Sequence, residues 1–342
     1  MSSGPPRVLV FEFICGGGCF LFPSFGSPSG SLLEEGREML QAVLEEIGKL
    51  NDLEVVTCLD QRLQPRSDFI PSADVHTIGS TEQLRDFFRT TGNQVDWMLL
   101  IAPEIDGALS HCLRHLAGEN ARLLSPNLAT VEICADKWKT HQFLTEHQIP
   151  TPRTRLLSHN FTDRESPWQA DHRLIVKPRW GAGSQGVAML TGAEAIQKRA
   201  QPDADKYLVQ AWTSGIPSSI AVSQSSHGRL IFPLMKQCLK PKTFEFVSCE
   251  GPLPDDMQKR AERLLNRIVT HLPEFSGYLG IDLLLGSAGD GSEDRVIEIN
   301  PRFTTSFCVT RKLVKQNLFT DLLFPDRLSD RHSPPQHQET NP

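Results

Sequence analysis

Residues 277–303 read GYLGIDLLLGSAGDGSEDRVIEINPRF, and the fold turns on how this stretch pairs with itself. Residues 281–285 are apolar apart from Asp282, residues 286–294 are rich in Gly, Ser and Asp, and residues 295–299 form a second strand-like run. That pattern predicts two strands around a polar loop. Glu298 and Asn300 are two residues apart, so a strand carries both side chains on one face. Pro301 then removes a backbone donor and ends the pairing. Charges inside apolar strands are costly unless compensated. A hard divalent cation compensates them, because Mg2+ takes one or two carboxylates and fills its other positions with amide oxygen, water or nucleotide phosphate. Arg302 follows at once, a planar cation suited to carboxylate or phosphate. An E-x-N-P segment is also a common turn with a capped carboxylate, so the metal reading requires a nucleotide site elsewhere in the chain.

The 342 residues suffice for two or three units with their own cores. A net charge of −6 without any basic run argues against a nucleic-acid partner. No apolar run approaches the ~20 residues that cross a bilayer. The N-terminal MSSGPPRVLVFEF enters a strand directly, without a basic segment and a separate apolar core, so no signal peptide is expected. The expectation is a cytoplasmic protein without a membrane partner. Among the eight scattered cysteines only Cys15 and Cys19 are close, with no second pair or His partner at zinc spacing, which points to reduced thiols. Oligomeric state is not legible.

Taken in order, residues 8–13 (VLVFEF) predict a strand, and apolar positions from Leu32 to Leu50 recur at helical spacing. Short strands are expected at 54–57 and 74–78, and Ser80 with Gln83 predicts a capping box before EQLRDFFR. Residues 97–102 (WMLLIA) read as a buried strand followed by a helix around 109–116. This alternation predicts a parallel sheet with helices on its faces, ending near residue 125. Glu12, Glu104 and Asp106 stand at or just beyond strand ends, which is the ligand side of an open α/β sheet. Solvated loop acids are the plainer alternative.

A second unit opens with VEICADKWKTHQFLTEHQI, read as one helix with Lys137 and Lys139 in its middle and stopped by Pro150 and Pro152. Residues 174–177 (LIVK) then form a strand ending in Lys177, which runs into RWGAGSQG with Gly181, Gly183, Ser184 and Gly186. Such glycines let the backbone fold over a ligand and present amide N–H groups to an anion. The spacing excludes a P-loop, and a plain glycine-rich hairpin remains the simpler alternative. Further strands are expected at 207–212 (YLVQAW), 220–222 and 230–234, and Asp255 is expected to cap a long amphipathic helix. The polar, Pro-rich residues 324–342 read as a disordered tail.

DKWKTHQFL, LIVKPRWGAGSQG, GYLGIDLLL and VIEINPR, in that order, resemble the ATP-grasp family over residues 7–323. The resemblance implies a mixed α/β and α+β fold: a Rossmann-like domain (1–125) ahead of two α+β subdomains (126–210 and 211–323) that hold ATP between them. It implies that Lys137 and Lys177 contact the ATP phosphates and that residues 181–186, including Gly181, Gly183, Ser184 and Gly186, close over them. Gln210, Ala211 and Trp212 would flank adenine, chiefly through backbone groups. Asp282, Glu298 and Asn300 would hold Mg2+, or Mn2+, and Arg302 would orient an acyl phosphate. Within the family, FEF, IAPE and INPRFTTSF most resemble the tyramine–glutamate ligases of methanofuran biosynthesis. The chain departs from many relatives at Ala211, where an acidic residue is usual, and at Pro217, Ser218 and Ser219, where another often follows.

The chemistry so implied is amide formation from a small-molecule acid and amine. Phosphorylating the carboxylate replaces a poor leaving group by phosphate, mostly through positioning and charge neutralisation. Glu12, Glu104 and Asp106 could offset the charge of the incoming ammonium, and Phe13, Phe20, Phe22 and Phe25 could wall the amine or simply pack the core. Two alternatives stay open: another ATP-grasp reaction on a different acid, and a non-catalytic nucleotide-binding regulator.

Overall fold

The computed structural model describes residues 5–51, 53–63, 73–117, 121–158, 171–226 and 228–324. Of the tail expected over residues 324–342, all but residue 324 lies outside them. β1 (Arg7–Glu12), β2 (Glu54–Asp60), β3 (Asp74–Ile78), β4 (Trp97–Ile101) and β5 (Arg122–Leu123) form a parallel sheet in the order β3-β2-β1-β4-β5. α1 (Gly30–Ile47), α2 (Thr81–Thr90) and α3 (Ala108–His115) join β1 to β2, β3 to β4 and β4 to β5.

Helices on both faces explain why β1 and β4 are apolar almost throughout. Val8, Val10, Leu99 and Ile101 pack on one side with Met39, Leu40, Val43 and Ile47 of α1. Leu9, Phe11, Met98 and Leu100 face the other side, against Leu84, Phe87 and Phe88 of α2 and Leu109 of α3. The strand order reverses between β1 and β4, so the C-terminal ends of these two strands border the crevice where such sheets take ligands. The capping box of α2 is only half as expected. Ser80 Oγ accepts the Gln83 N–H, but the Gln83 side chain accepts from Gly79 N–H, one residue earlier.

The single helix expected over residues 131–149 is two helices, α4 (Leu128–Cys134) and α5 (Lys137–Glu146). Asp136 breaks it by accepting the N–H groups of Trp138 and Lys139, thereby capping α5. Lys137 is therefore the first residue of a helix rather than a mid-helix position. The next four strands, β6 (Thr154–Leu156), β7 (Arg173–Pro178), β8 (Ala188–Thr191) and β9 (Tyr207–Ala211), form an antiparallel sheet in the order β6-β9-β7-β8. α6 (Gly192–Arg199) covers it through Ala195.

A third, antiparallel sheet contains β10 (Ile216–Ser225), β11 (Gly228–Ile231), β12 (Met235–Leu239), β13 (Phe246–Glu250), β14 (Gly277–Leu285) and β15 (Arg295–Asn300). β10 is longer than expected, and β12 and β13 had no expected counterpart. α7 (Asp255–His271) packs Ala261, Leu264, Leu265 and Ile268 against Leu279, Ile281 and Leu283 of this sheet. Asp255 is not its cap; Pro254 holds that position, and Asp255 lies in the first turn, where its charge still suits the helix dipole. α8 (Phe307–Thr310) and α9 (Leu318–Leu323) close the described chain. Phe303, Phe307 and Phe319 join Tyr278 and the α1 side of the first sheet in one core, which couples the first unit to the third.

Candidate active site

β14 and β15 are antiparallel, with Asp282 opposite Glu298 and Gly280 opposite Asn300, so all three polar side chains share a face. The register shifts just past this pair, because Leu283 stands opposite Val296 and leaves Ile297 as the extra residue of a bulge. Asn300 Nδ2 donates to Asp282 Oδ2 at 3.1 Å, and Gln237 Nε2 donates to Asp282 Oδ1 at 2.9 Å. Lys137 Nζ lies 3.1 Å from Glu298 Oε2 and donates to Gly181 O at 2.7 Å. One lysine thus ties the carboxylate face to the glycine loop. Its placement depends on Asp136, which both starts α5 and pairs with Arg179 just after β7.

These groups line a cleft of about 420 Å3 between the second and third sheets, together with Lys177, the loop at Gly181, Gly183 and Ser184, and Trp212. Lys177 is buried, and desolvation lowers its pKa to about 8 although Glu298 pulls it up. Burial, and next the like charge of Glu298, raise Asp282 to about 7. Burial opposes ionisation of Glu298 too, but Lys137 and Lys177 outweigh it and hold this carboxyl well below its ordinary range. Two facing carboxyls, of which one tends to keep its proton, fit a hard divalent cation, which would relieve their repulsion; the Asn300 amide supplies an oxygen of the same hard type. Among the described residues no three His, Cys, Asp or Glu side chains form a metal-binding group, so the fit rests on two carboxylates and an amide.

The glycine loop runs over this face. Gly183, Ser184 and Gly186 all have positive φ, at 62°, 57° and 72°. A Cβ on Gly186 would meet Pro178 Cγ at 2.9 Å, so the turn admits only glycine without displacement. The segment expected to flank adenine lines the cleft, with a difference in its donors. Ala211 N–H is taken by Arg153 O and Trp212 N–H by Arg173 O, while the Gln210 side chain donates to Thr154 Oγ1. The sequence did not reveal Phe244 and Phe246, which line the same end; Phe244 lies 6.0 Å from the Trp212 ring, centroid to centroid. Gln237 was missed with them, for all three belong to the unexpected β12–β13 hairpin.

Of the three acids expected near the substrate, Glu12 and Glu104 both lie near Arg302, whereas Asp106 stands apart. Asp106 is exposed and accepts from Ser24 Oγ. Glu104 is 3% exposed and holds Arg302, whose Nε lies 3.0 and 3.1 Å from its two oxygens. Glu12 closes β1, is 2% exposed, and accepts Cys15 N–H. Its carboxylate lies against α1 at Gly36, where a Cβ would come within 2.7 Å of Oε2. Burial raises it to about 7. Phe13, Phe22 and Phe25 pack on one another and, with Phe20, on the core, not on the cleft. Glu35 of α1, absent from the expected set, lines the cleft instead.

The ATP-grasp domain family matches residues 134–306, half of the chain, and a pre ATP-grasp 3 domain matches residues 53–131. The chain belongs to the ATP-grasp family. Among solved structures it is similar to an ATP-grasp superfamily protein from Archaeoglobus fulgidus, at 18% identity and a TM-score of 0.69, covering 93% of this chain and 87% of that one. An L-amino acid ligase from Bacillus licheniformis matches at 16% identity and TM-score 0.63, over 92% of this chain and 71% of that one. The ADP complex of N5-carboxyaminoimidazole ribonucleotide synthetase matches at 16% and 0.63, over 90% and 72%. At these identities the likeness is one of fold. No curated protein sequence matches the chain. Among the described residues no helix is long and apolar enough to cross a membrane.

Proposed function

We propose that the protein is an ATP-dependent carboxylate–amine ligase that forms an amide through an acyl phosphate. The observation that carries this reading is the facing pair Asp282 and Glu298, with Lys137 bridging from Glu298 to the glycine loop and Lys177 beside them. That arrangement concentrates positive charge where the phosphates of ATP would lie and leaves a carboxylate face for a cation. When bound there, Mg2+ or Mn2+ would neutralise charge on the phosphates. Asp282, Glu298 and Asn300 are the residues that would hold it.

The chain's own side chains do the rest. Lys137 and Lys177 bind phosphate oxygens and hold the transferring phosphoryl in line with the acid. Arg302, fixed by Glu104 and lining the cleft, orients the carboxylate being activated. The glycine loop keeps water from the intermediate. The substrate pair we favour is glutamate, or a related amino acid, with a primary aromatic amine such as tyramine. Its support is the resemblance of FEF, IAPE and INPRFTTSF, and the L-amino acid ligase among the structural neighbours is compatible with it.

A screen of ADP release against pairs of amino acids and amines tests the class. Acid-dependent release that an amine stimulates, with an amide product by mass, is expected. Release that no acid stimulates would leave the ligase reading without support.

A further inference from the structure

A second, small pocket lies beyond the cleft, at the point where the first sheet reverses its strand order. The ends of β1 and β4 wall it, with Leu32, Glu35 and Met39 of α1 and with Ala182 and Arg302. Its volume, about 20 Å3, admits one group the size of a water or an amine nitrogen. Glu35, Ala182 and Arg302 line both cavities, so the small pocket opens beside the place where Arg302 would orient an acyl phosphate.

Glu35 stands at this junction. A Cβ on Gly183 would sit 3.6 Å from its Oε1, so its carboxylate lies directly under the glycine loop. Among the described residues no side chain hydrogen-bonds to it, and Arg302 acts on it only through its charge. The other carboxylates on the two cavities are committed. Asp282 and Glu298 face each other and the lysines, and Glu12 is buried against Gly36 and Cys15. No histidine among the described residues lines either cavity.

We propose that Glu35 is the base of the second half-reaction, taking the proton that the attacking amine must lose. The ammonium nitrogen, seated in the small pocket, first gives one proton to a Glu35 oxygen and becomes a free amine. That nitrogen then forms the C–N bond as the bond from the acyl carbon to the phosphate oxygen breaks, and the departing inorganic phosphate keeps that electron pair and takes the second proton, which the amide nitrogen sheds. Desolvation raises the Glu35 pKa, with Arg302 opposing and Glu38 and Glu34 adding to it, in keeping with a group that can hold a proton in passing. This inference rests on the ligase reading above, which supplies the acyl phosphate.

The test separates the two half-reactions. Hydroxylamine is unprotonated at neutral pH and traps an acyl phosphate as the hydroxamate without needing a base, whereas tyramine or another primary amine arrives as an ammonium. Wild type and Glu35→Gln are compared for hydroxamate and for amide, using each standard amino acid as the acid. The ratio of amide to hydroxamate is expected to fall roughly 100-fold or more in the variant. Glu35→Asp, which keeps a carboxylate, is expected to recover part of that ratio. An unchanged ratio overturns the proposal, whether both products persist in full or both fall in the same proportion. Absence of hydroxamate in wild type with every acid overturns the ligase reading itself, and this inference with it.

Discussion

Glu104 and Arg302, 198 residues apart in the chain, form an ion pair that pins the third sheet to the ligand edge of the first. Glu104 is buried and Arg302 half-buried, and Arg302 also donates to Phe303 O. Glu104 therefore fixes the arginine that faces the cleft; it is not a free acid awaiting an amine. Removing one member of a buried pair strands the other charge, at a cost of roughly 3–5 kcal/mol. Glu104→Gln is expected to lower the unfolding free energy by about 3 kcal/mol or more, read by urea denaturation, and to weaken the acid's KM through a loosened Arg302. A variant of unchanged stability that raises only the amine's KM would return Glu104 to the amine.

Replacing Glu298 or Asn300 by alanine is expected to abolish metal binding and nearly all ATP turnover. The fold should survive, since Lys137 keeps its bond to Gly181 O and the strand pairing is backbone-made. Circular dichroism checks the fold, and metal titration with a non-hydrolysable ATP analogue reads the site. Full turnover in either variant would remove these residues from it.

The glycine loop offers little apolar surface to anchor it, so its amides should exchange readily without nucleotide and slow when an analogue binds. Hydrogen exchange over residues 181–186 measures this directly. Equal rates in both states would mean that the loop does not close. Gly186→Ala, strained at φ 72° and pressed on Pro178, should lose turnover without losing the first sheet.

Glu12 predicts a pH dependence of stability. Its ordinary pKa is 4.5 and burial raises it to about 7 in the folded chain. Below 4.5 both states carry the proton. Between 4.5 and about 7 the unfolded chain has released it while the folded chain retains it, so stability falls as pH rises and levels off above that window. The fall is about 3 kcal/mol in all. Glu12→Gln should flatten that segment of the profile and be the more stable protein at pH 8; a profile identical to wild type would show that burial does not shift this group.

Much of this architecture is legible in the chain because its signals are local. VLVFEF and WMLLIA are apolar on both faces, as central parallel strands must be, and GYLGIDLLL with RVIEIN declares its own polar face. What was not legible depends on distant partners. The helical spacing shows no break between Cys134 and Lys137; in the structure Asp136 stands there as the cap of the second helix, held in place by Arg179 from beyond β7. The β12–β13 hairpin is half-exposed and polar, so Gln237 and Phe244 gave no continuous strand pattern. Glu35 sits in LLEEGREML, where its neighbours Glu34 and Glu38 are ordinary solvent-facing acids. Its signal was Gly36, an unexpected glycine inside a helix that marks close approach to Glu12.

The passage of the acid through an acyl phosphate is tested most directly by following its oxygen. Glutamate, or whichever acid supports turnover, is labelled with 18O in the carboxylate and incubated with ATP, Mg2+ and the amine. The phosphoryl group is transferred to a carboxylate oxygen, and that oxygen departs with the phosphate when the amine attacks. The account predicts one 18O atom in each inorganic phosphate released, detected by mass spectrometry or phosphorus NMR, with ADP and amide formed in equal amounts. Unlabelled phosphate alongside the amide product would contradict it.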